Sequence, residues 1–292
     1  DLKEIARLAR KHKPKLIWVG ATAYVREFPF KELAKIADEV GAYLAAAIAH
    51  IAGLVVAGAH ISPVPYVHII TTTTHKTLRG PRGGMIMVTK KGLKKNPELG
   101  AAVDRAIFPN LQGGPHNHTT AGIAVALKEA STKKFKAYGK QIVTNTKALG
   151  RELIRRKVEL VSGGTDNHML LVKCGAGRGA IVEIALDAIG LTTNKNTIPD
   201  EPSSPFYPSG IRIGAPSVTT RNMKVHEMKQ IGVWIADVME MIKGEQLPAD
   251  KTERKAYLKD FRRRVSKDSR FAKIHKEVKA LCKKFPIPES FV

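Results

Sequence analysis

The sequence predicts an α/β fold, because helical and strand-like segments alternate from its first residues. Apolar residues recur on one face of a helix over residues 2–12, and the apolar run 16–19 has the length of a buried strand. The alternation repeats with a helix over 30–40 and a strand over 43–47. Strands that are connected through helices are expected to pair in parallel, with ligands bound beyond their carboxyl ends.

The next segments continue the pattern up to a long helical region. Residues 66–70 and 85–88 form apolar runs typical of strands, and the lysine-rich residues 90–99 are predicted to form a turn region. Residues 119–156 carry an apolar stripe at helical spacing, and Ser131-Thr132 is the predicted break between two helices.

The remaining residues predict a smaller α+β domain. Its segments in chain order are strands over 159–161 and 169–172, a helix over 180–189 ended by Gly190, a strand-like segment over 209–214, and helices over 228–242 and 271–284. We therefore predict two domains. Residues 1–135 would be part of a large domain, and residues 136–292 a linker helix and a small C-terminal domain.

The composition is that of a globular protein. The 292 residues are 43% hydrophobic, which allows a sizeable core, and no apolar run approaches the roughly 18 residues that a membrane helix needs. The charged start of the sequence does not have the pattern of a secretory signal, and the two cysteines show neither metal spacing nor a disulfide pattern. These features favour a cytoplasmic protein.

The net charge of +23 raises the question of a polyanionic partner. Positive charge is densest over residues 250–292, which contain 14 Lys and Arg against 6 Asp and Glu and include Arg262-Arg263-Arg264. This segment lacks the interleaved aromatic residues of a nucleic-acid-binding surface. A solvated basic surface is the preferred interpretation, and nucleic-acid binding stays open as the alternative.

The stretch from Thr71 to Gly84 combines a reactive amine with unusual local chemistry. Four consecutive threonines and His75 precede Lys76, and the chain then leaves through a turn rich in glycine and proline. An amine held at a strand end among hydroxyls and an imidazole is of the kind that forms a Schiff base with a carbonyl or with pyridoxal phosphate. A solvated lysine in a polar turn is the alternative for a lysine taken alone.

The whole fourteen-residue string resembles the cofactor-lysine signature of the serine hydroxymethyltransferases, and the resemblance runs from residue 1 to Val292. It implies a pyridoxal-phosphate-dependent transferase of fold type I, like aspartate aminotransferase, with an incomplete large-domain parallel or mixed sheet and a small α+β C-terminal domain. It also implies interconversion of serine and glycine, with pyridoxal 5′-phosphate as cofactor, tetrahydrofolate as one-carbon acceptor, and a homodimer or homotetramer as the assembly.

The family resembled carries a long N-terminal portion ahead of the point where this sequence begins. The absent portion would supply strands of the large-domain sheet and part of the cofactor pocket. A sheet without those strands exposes an open edge and apolar faces. We therefore expect residues 1–292 alone to be poorly soluble.

The resemblance assigns most cofactor contacts to two segments. Lys76 is the implied covalent anchor and catalytic residue, His75 its catalytic neighbour, and Thr73 and Arg82 support the cofactor loop. Gly113-Gly114 would approach the cofactor phosphate of the neighbouring subunit. A Gly-Gly pair ahead of a helix can present N–H groups to phosphate, although by itself it is more often a tight turn.

Two further positions match the cofactor site, and a third departs from it. His50 matches the histidine that contacts the phenolic oxygen of the cofactor, and Thr22 stands where a serine is usual. The family carries an aspartate three residues before that histidine, where this chain has Ala47. The aspartate keeps the pyridine nitrogen protonated, which alanine cannot do. We expect weakened cofactor binding and a slowed carbanion step.

The substrate-binding residues implied by the resemblance lie in the second half of the chain. Arg212 stands between β-branched residues, and a buried arginine requires an anion. An internal carboxylate is one such anion, and the substrate carboxylate is the one that the resemblance implies, since the planar guanidinium suits bidentate binding. Asn196 matches a segment that borders the folate site.

Two alternatives remain beside this interpretation. One is another fold-type-I enzyme, such as a threonine aldolase, which folate dependence would distinguish. The other is a non-catalytic relative that binds RNA through its basic surface, which Ala47 and the net charge favour. His116 and His118 lack further partners, so no metal site is predicted.

Overall fold

The computed structural model describes residues 1–289 and divides the chain into two units. The first ends at Lys140 and the second begins at Gln141, so the division falls inside a helix that spans Lys133–Arg155. The sequence predicts the boundary between the two domains after residue 135. No helix within residues 1–289 is long and apolar enough to cross a membrane.

The first unit contains a four-stranded sheet with helices between its strands. Its elements are α1 (Leu2–His12), β1 (Leu16–Val19), α2 (Phe30–Glu39), β2 (Tyr43–Ala47), α3 (Ala52–Val56), β3 (Ile69–Thr73), β4 (Gly84–Val88), α4 (Lys90–Lys95), α5 (Leu99–Ile107), α6 (Asn117–Ala130) and the start of α7 (Lys133–Arg155). The predicted break at Ser131-Thr132 is confirmed, since α6 and α7 flank these residues.

The sheet has the order β1-β2-β3-β4 and is mixed. The predicted parallel pairing is confirmed for β1, β2 and β3. Strand β4 pairs antiparallel with β3, and the expectation for helix-connected strands did not extend to it. Residues 74–83 connect these two strands without a helix, and a parallel pair needs a longer crossover.

The two faces of this sheet differ in burial. Leu44, Ala46 and Ile70 are buried in a core shared with α2, which contributes Phe30 and Leu33. On the opposite face, Trp18 of the edge strand β1 is 56% exposed and Ile86 of β4 is 42% exposed. The sheet therefore has one packed face and one open face.

The second unit is an α+β arrangement around a three-stranded antiparallel sheet of order β5-β7-β6. Beyond α7, its elements are β5 (Met169–Lys173), α8 (Gly179–Ala188), β6 (Asn194–Asn196), β7 (Gly210–Gly214), α9 (Pro216–Thr220), α10 (Val225–Met241), α11 (Arg254–Lys267) and α12 (Ser269–Lys284). Its core joins the sheet to α8, α10, α11 and α12.

Two local predictions are wrong, and one helix was not predicted. The predicted strand over 159–161 is reduced to one bridge from Leu160 to Val172, and the chain then forms a 3₁₀ turn over Val161–Gly163. The lysine-rich residues after β4 form helix α4, because the Thr89 hydroxyl accepts from Gly92 N and caps the first turn. Helix α11 was not predicted, because most of its residues are charged or polar and only a few, such as Phe261, are buried.

Candidate functional site

Three predicted site residues lie at the same edge of the first unit's sheet. Each stands three residues beyond the end of a parallel strand: Thr22 after Val19 of β1, His50 after Ala47 of β2, and Lys76 after Thr73 of β3. Because the carboxyl ends of adjacent parallel strands meet at one edge, the fold brings these three segments together. Lys76 and His50 are half-buried, and Thr22 is exposed.

The Lys76 amine lies within the turn that follows β3. Its Nζ is 3.5 Å from the Thr73 hydroxyl oxygen, the long limit of a hydrogen bond. Lys76 forms no ion pair with a carboxylate of the described residues. A half-buried amine without a counter-ion is available to a carbonyl compound.

Buried threonines fix the path of this turn. The Thr74 hydroxyl donates to Pro81 O at 2.6 Å, and the amide of Thr74 donates to Gly83 O at 3.0 Å. The Thr77 hydroxyl donates to His50 O and accepts from Gly53 N, both at 3.0 Å. Thr77 therefore ties the turn that carries Lys76 to the turn that carries His50.

Sequence reasoning did not assign a role to Thr74 or Thr77. A threonine hydroxyl that is buried and hydrogen-bonded can be recognised only when its partners in the folded chain are known. The unusual run of threonines was the signal that pointed to this segment.

His75 and Arg82 form a polar pair beside Lys76. Arg82 Nη1 lies 3.2 Å from His75 Nε2, and because arginine can only donate, Nε2 is the acceptor and the ring proton is on Nδ1. His75 Nδ1 is buried and has no hydrogen-bond partner among the described residues. A buried donor of this kind is costly unless an acceptor reaches it.

A cavity of about 950 Å³ lies over the open face of the sheet. It is lined by Thr71 and Thr73 of β3 and by Trp18 and Ile86 of the other strands. Further lining residues lie in the turn after β2, in α5 and in the loop that follows α5, among them Ala49, Asp104, Phe108 and Gln112. Thr73 is thus shared between the cavity wall and the Lys76 amine. The cavity volume of about 950 Å³ lies at the upper end of the range for small-molecule sites.

The glycine pair precedes α6 on an exposed loop. A Cβ built on Gly113 or Gly114 would meet no atom of the described residues within 4 Å, and both residues are exposed. Neighbouring Gln112 lines the cavity. The nearby rings of His116 and His118 are 5.7 Å apart, and within residues 1–289 no group of three or more His, Cys, Asp or Glu side chains is arranged to hold a metal.

Ala47 is the last residue of β2 and pairs in register with Thr71, which lines the cavity. Register partners in parallel strands project to the same face, so the Ala47 methyl group faces the cavity side of the sheet. A Cβ built on Gly20 would come within 2.7 Å of the Ala47 Cβ, which shows how closely β1 and β2 approach at this edge. Position 47 provides no carboxylate.

Arg212 and Asn196 lie in the second unit on adjacent strands. Arg212 is the central residue of β7 and pairs with Leu171 and Asn194. It is half-buried, and burial lowers the pKa of its guanidinium from the ordinary value. Asn196 of β6 donates from its side-chain amide to Thr197 O at 2.7 Å.

Glu201 organises the loop between these two strands, a role that the sequence did not reveal. Its carboxylate accepts from the amides of Ser203 and Ser209 at 3.0 Å and of Ile198 at 3.1 Å. Burial by itself raises the pKa of Glu201, but a hydrogen bond from the Ser209 hydroxyl, together with those from the three amides, outweighs burial, and the net shift of the pKa is downward. The loop is thereby held against the end of β7.

Comparison with known proteins decides the family. The family model described as serine hydroxymethyltransferase matches residues 1–235, which include Lys76, Arg212 and every other predicted site residue. The chain belongs to the serine hydroxymethyltransferase family. The serine hydroxymethyltransferase of Sorangium cellulosum (strain So ce56) is 49% identical over 290 residues, which are 99% of this chain and 62% of the relative. The chain therefore spans less than two thirds of the length of this curated member of the serine hydroxymethyltransferases.

Proposed function

We propose that this chain carries the cofactor lysine and the substrate-binding arginine of a pyridoxal-phosphate-dependent serine hydroxymethyltransferase of fold type I. The reaction is the interconversion of serine and glycine with tetrahydrofolate as one-carbon acceptor. The observation that carries the proposal is the Lys76 amine, which stands beyond the carboxyl end of a parallel strand and has no ion-pair partner in the described part of the chain. Family membership supports the same reaction.

The residues present fit pyridoxal phosphate as a ligand. The Lys76 amine, which has no counter-ion among the described residues, fits its aldehyde, and the partnerless His75 Nδ1–H fits an acceptor oxygen. The exposed backbone of Gly113 and Gly114 fits a phosphate. Thr73, His50, Thr22 and Arg82 complete the set that would hold it. When bound, the cofactor withdraws electrons from the bonds to the substrate Cα.

The chain's own residues position the reactants. Lys76 is held by Thr73 and by the threonine-fixed turn, so its amine is presented at one place. Arg212 would bind the amino-acid carboxylate through its planar guanidinium, a group that is not deprotonated in proteins. Asn196 would border the folate. Ala47 cannot hold a proton at the ring nitrogen, which is the one position that does not fit.

The test is covalent trapping of the cofactor. The 292-residue chain is incubated with pyridoxal phosphate, reduced with borohydride and digested, and the labelled peptide is identified by mass spectrometry. We expect label on Lys76 in the chain itself and in a Lys91→Arg control, and none in Lys76→Arg. Label that is absent, or equally spread over surface lysines, contradicts the proposal. Tetrahydrofolate dependence of serine cleavage then separates this reaction from that of a threonine aldolase.

A second candidate function is RNA binding without catalysis, which the charge of the second unit favours. Helices α11 and α12 expose cations that pair with no carboxylate of the described residues: Lys255, Lys259, Arg262, Lys267, Lys273, Lys276, Lys279 and Lys283. Retention of single-stranded RNA that falls steeply with salt, together with no labelling of Lys76, supports this candidate. Labelling of Lys76 without RNA retention excludes it.

A further inference from the structure

The second unit contains a cavity that none of the site residues above touches. Its volume is about 260 Å³, and it lies among α9, α10, α12 and the end of β7. The deep part is apolar, with Met223, Met228, Trp234, Ile235 and Val278 all buried. The opening includes Ser217 and Thr192, both exposed to solvent. The cavity is therefore an apolar recess that solvent can enter.

Packing makes an empty recess of this size unusual. Protein interiors are close-packed, and an engineered apolar cavity of about 150 Å³ already binds small apolar molecules. The volume of about 260 Å³ also lies just below the range of small-molecule sites. The recess is thus large enough for a short organic molecule and too small for a nucleotide-sized cofactor.

The polar groups of the cavity wall determine which class of molecule fits the recess. Thr193 Oγ1 is buried at the cavity wall and has no hydrogen-bond partner among the described residues. Arg221 lines the same wall, and no aspartate or glutamate does. The recess therefore combines an apolar interior with one cation and one unsatisfied hydroxyl.

Arg221 is oriented by the end of a helix. Its Nε donates to Phe285 O at 2.6 Å and its Nη2 to Cys282 O at 2.8 Å, both at the C-terminus of α12. Such carbonyls carry partial negative charge, so they hold the guanidinium in place without neutralising it. Arg221 forms no ion pair with a carboxylate in the described part of the chain. An oriented cation beside an apolar recess is complementary to a carboxylate with an apolar tail.

We propose that this recess binds a small apolar monocarboxylate, with the tail among Met228, Trp234 and Ile235 and the carboxylate at Arg221 and Thr193. The site is separate from the Lys76 and Arg212 residues and does not depend on the proposed function. Binding there would act on the packing of α12 against α10, the two helices that flank the recess.

The fluorescence of Trp234 reports on the site. The chain has two tryptophans, so a Trp18→Phe variant leaves Trp234, which lines the recess, as the single emitter. Octanoate is titrated into this variant, with octanol as the uncharged probe of the same length. We expect a saturable change with octanoate, and binding of octanol at least about tenfold weaker because one charged hydrogen-bonded contact is lost.

Substitutions in the recess test whether octanoate and octanol bind there. Arg221→Gln should weaken octanoate binding about tenfold or more and leave octanol unchanged, and Thr193→Val should weaken octanoate binding severalfold. Ser217→Phe at the exposed opening should block both probes without removing a buried contact, which keeps the test decisive if Arg221→Gln loosens α12. Arg262→Gln is the matched control, since Arg262 is exposed on α11 and does not line the recess.

Three results would overturn the proposal. The first is the absence of any saturable change in Trp234 emission with octanoate. The second is equal affinity for octanoate and octanol, which would assign the signal to nonspecific apolar contact. The third is an equal loss of octanoate binding in Arg262→Gln and Arg221→Gln, which would assign it to the overall charge.

Discussion

At the scale of single residues, position 47 is the one place where the chain does not fit the proposed cofactor site. The turns that carry Lys76 and His50 are tied by Thr77, and the Lys76 amine has no competing carboxylate in the described residues. Ala47 lies on the neighbouring strand, on the same face of the sheet as Thr71 of the cavity wall, and contributes only a methyl group. The proposed anchor for a pyridine aldehyde is thus Lys76, and position 47 supplies no acid partner for the ring nitrogen.

Replacement of Ala47 by aspartate should restore that partner. We expect Ala47→Asp to bind pyridoxal phosphate about 10- to 100-fold more tightly, because a charged hydrogen bond contributes about 1.5–3 kcal/mol. Binding is measured by equilibrium dialysis, and the rate of serine cleavage is followed in parallel. Ala47→Asn has the same shape without the charge and should gain little. Equal affinity in Ala47→Asp and the unmodified chain would show that another group already fills this role.

At the scale of secondary-structure elements, the edge strand β1 is the exposed part of the first unit's sheet. Leu16 and Trp18 project from it, and Trp18 is 56% exposed. A hydrophobic edge strand is a template for pairing with other chains. The predicted poor solubility of residues 1–292 has a physical basis in this strand.

We expect Trp18→Lys to reduce self-association, because a charged side chain on an edge strand opposes strand pairing and reduces the open apolar face. The average mass in solution is measured by light scattering after size-exclusion chromatography over a range of concentrations. Trp234→Phe changes a buried tryptophan and should leave the mass unchanged. A chain that is already monomeric and melts cooperatively contradicts the expectation.

Helix α7 is joined to α10 by a charged cluster around Glu152. The Glu152 carboxylate accepts from Arg155 at 2.6 Å and Arg156 at 3.0 Å, and Arg156 also donates to Asp237 of α10 at 3.1 Å. The hydrogen bond from Arg155 lowers the pKa of Glu152 to about 2, against an opposing effect of burial and with help from Arg156.

This shift predicts a stability difference that depends on pH. Since the folded pKa lies below the ordinary value of 4.5, the stabilisation is complete above about pH 5 and is lost as the pH falls toward 2. We expect Glu152→Gln to lower the free energy of unfolding by about 1–2 kcal/mol at neutral pH, since the Arg155 guanidinium is mostly solvent-exposed.

Urea unfolding at a series of pH values checks this expectation. The difference between Glu152→Gln and the unmodified chain should narrow as the pH decreases below about 4. Glu240→Gln, which removes an exposed pair with Lys243, should differ little at any pH. A Glu152→Gln deficit that persists undiminished at about pH 2 would assign the effect to packing.

At the scale of the whole molecule, the charge of +23 opposes folding by self-repulsion. We expect the free energy of unfolding to rise by about 1 kcal/mol between about 20 mM and 200 mM sodium chloride, because salt screens the repulsion more than it weakens the local ion pairs. Urea midpoints at each salt concentration measure this. A midpoint that decreases with salt would show that local ion pairs outweigh the repulsion.

Much of the fold could be predicted where the pattern is local. The helix over Phe30–Glu39 and the strand over Tyr43–Ala47 follow from apolar spacing, and they lie where they were expected. The direction of β4 and the existence of α11 did not follow, because a strand's partner and a charged helix's few buried contacts depend on residues distant in the sequence. Apolar periodicity is a property of a segment, and pairing is a property of the whole chain.

The sequence by itself determined the family and the identity of the candidate lysine, because the string from Thr71 to Gly84 is long and specific. Only the tertiary structure decided that Thr77 joins two turns, that His75 Nδ1 is buried without a partner among the described residues, and that Ala47 lies on the same face of the sheet as Thr71. It also revealed the recess at Trp234 and Arg221. Hydrogen-bond partners and cavities are relations between residues far apart in the chain, and they exist only after the backbone has folded.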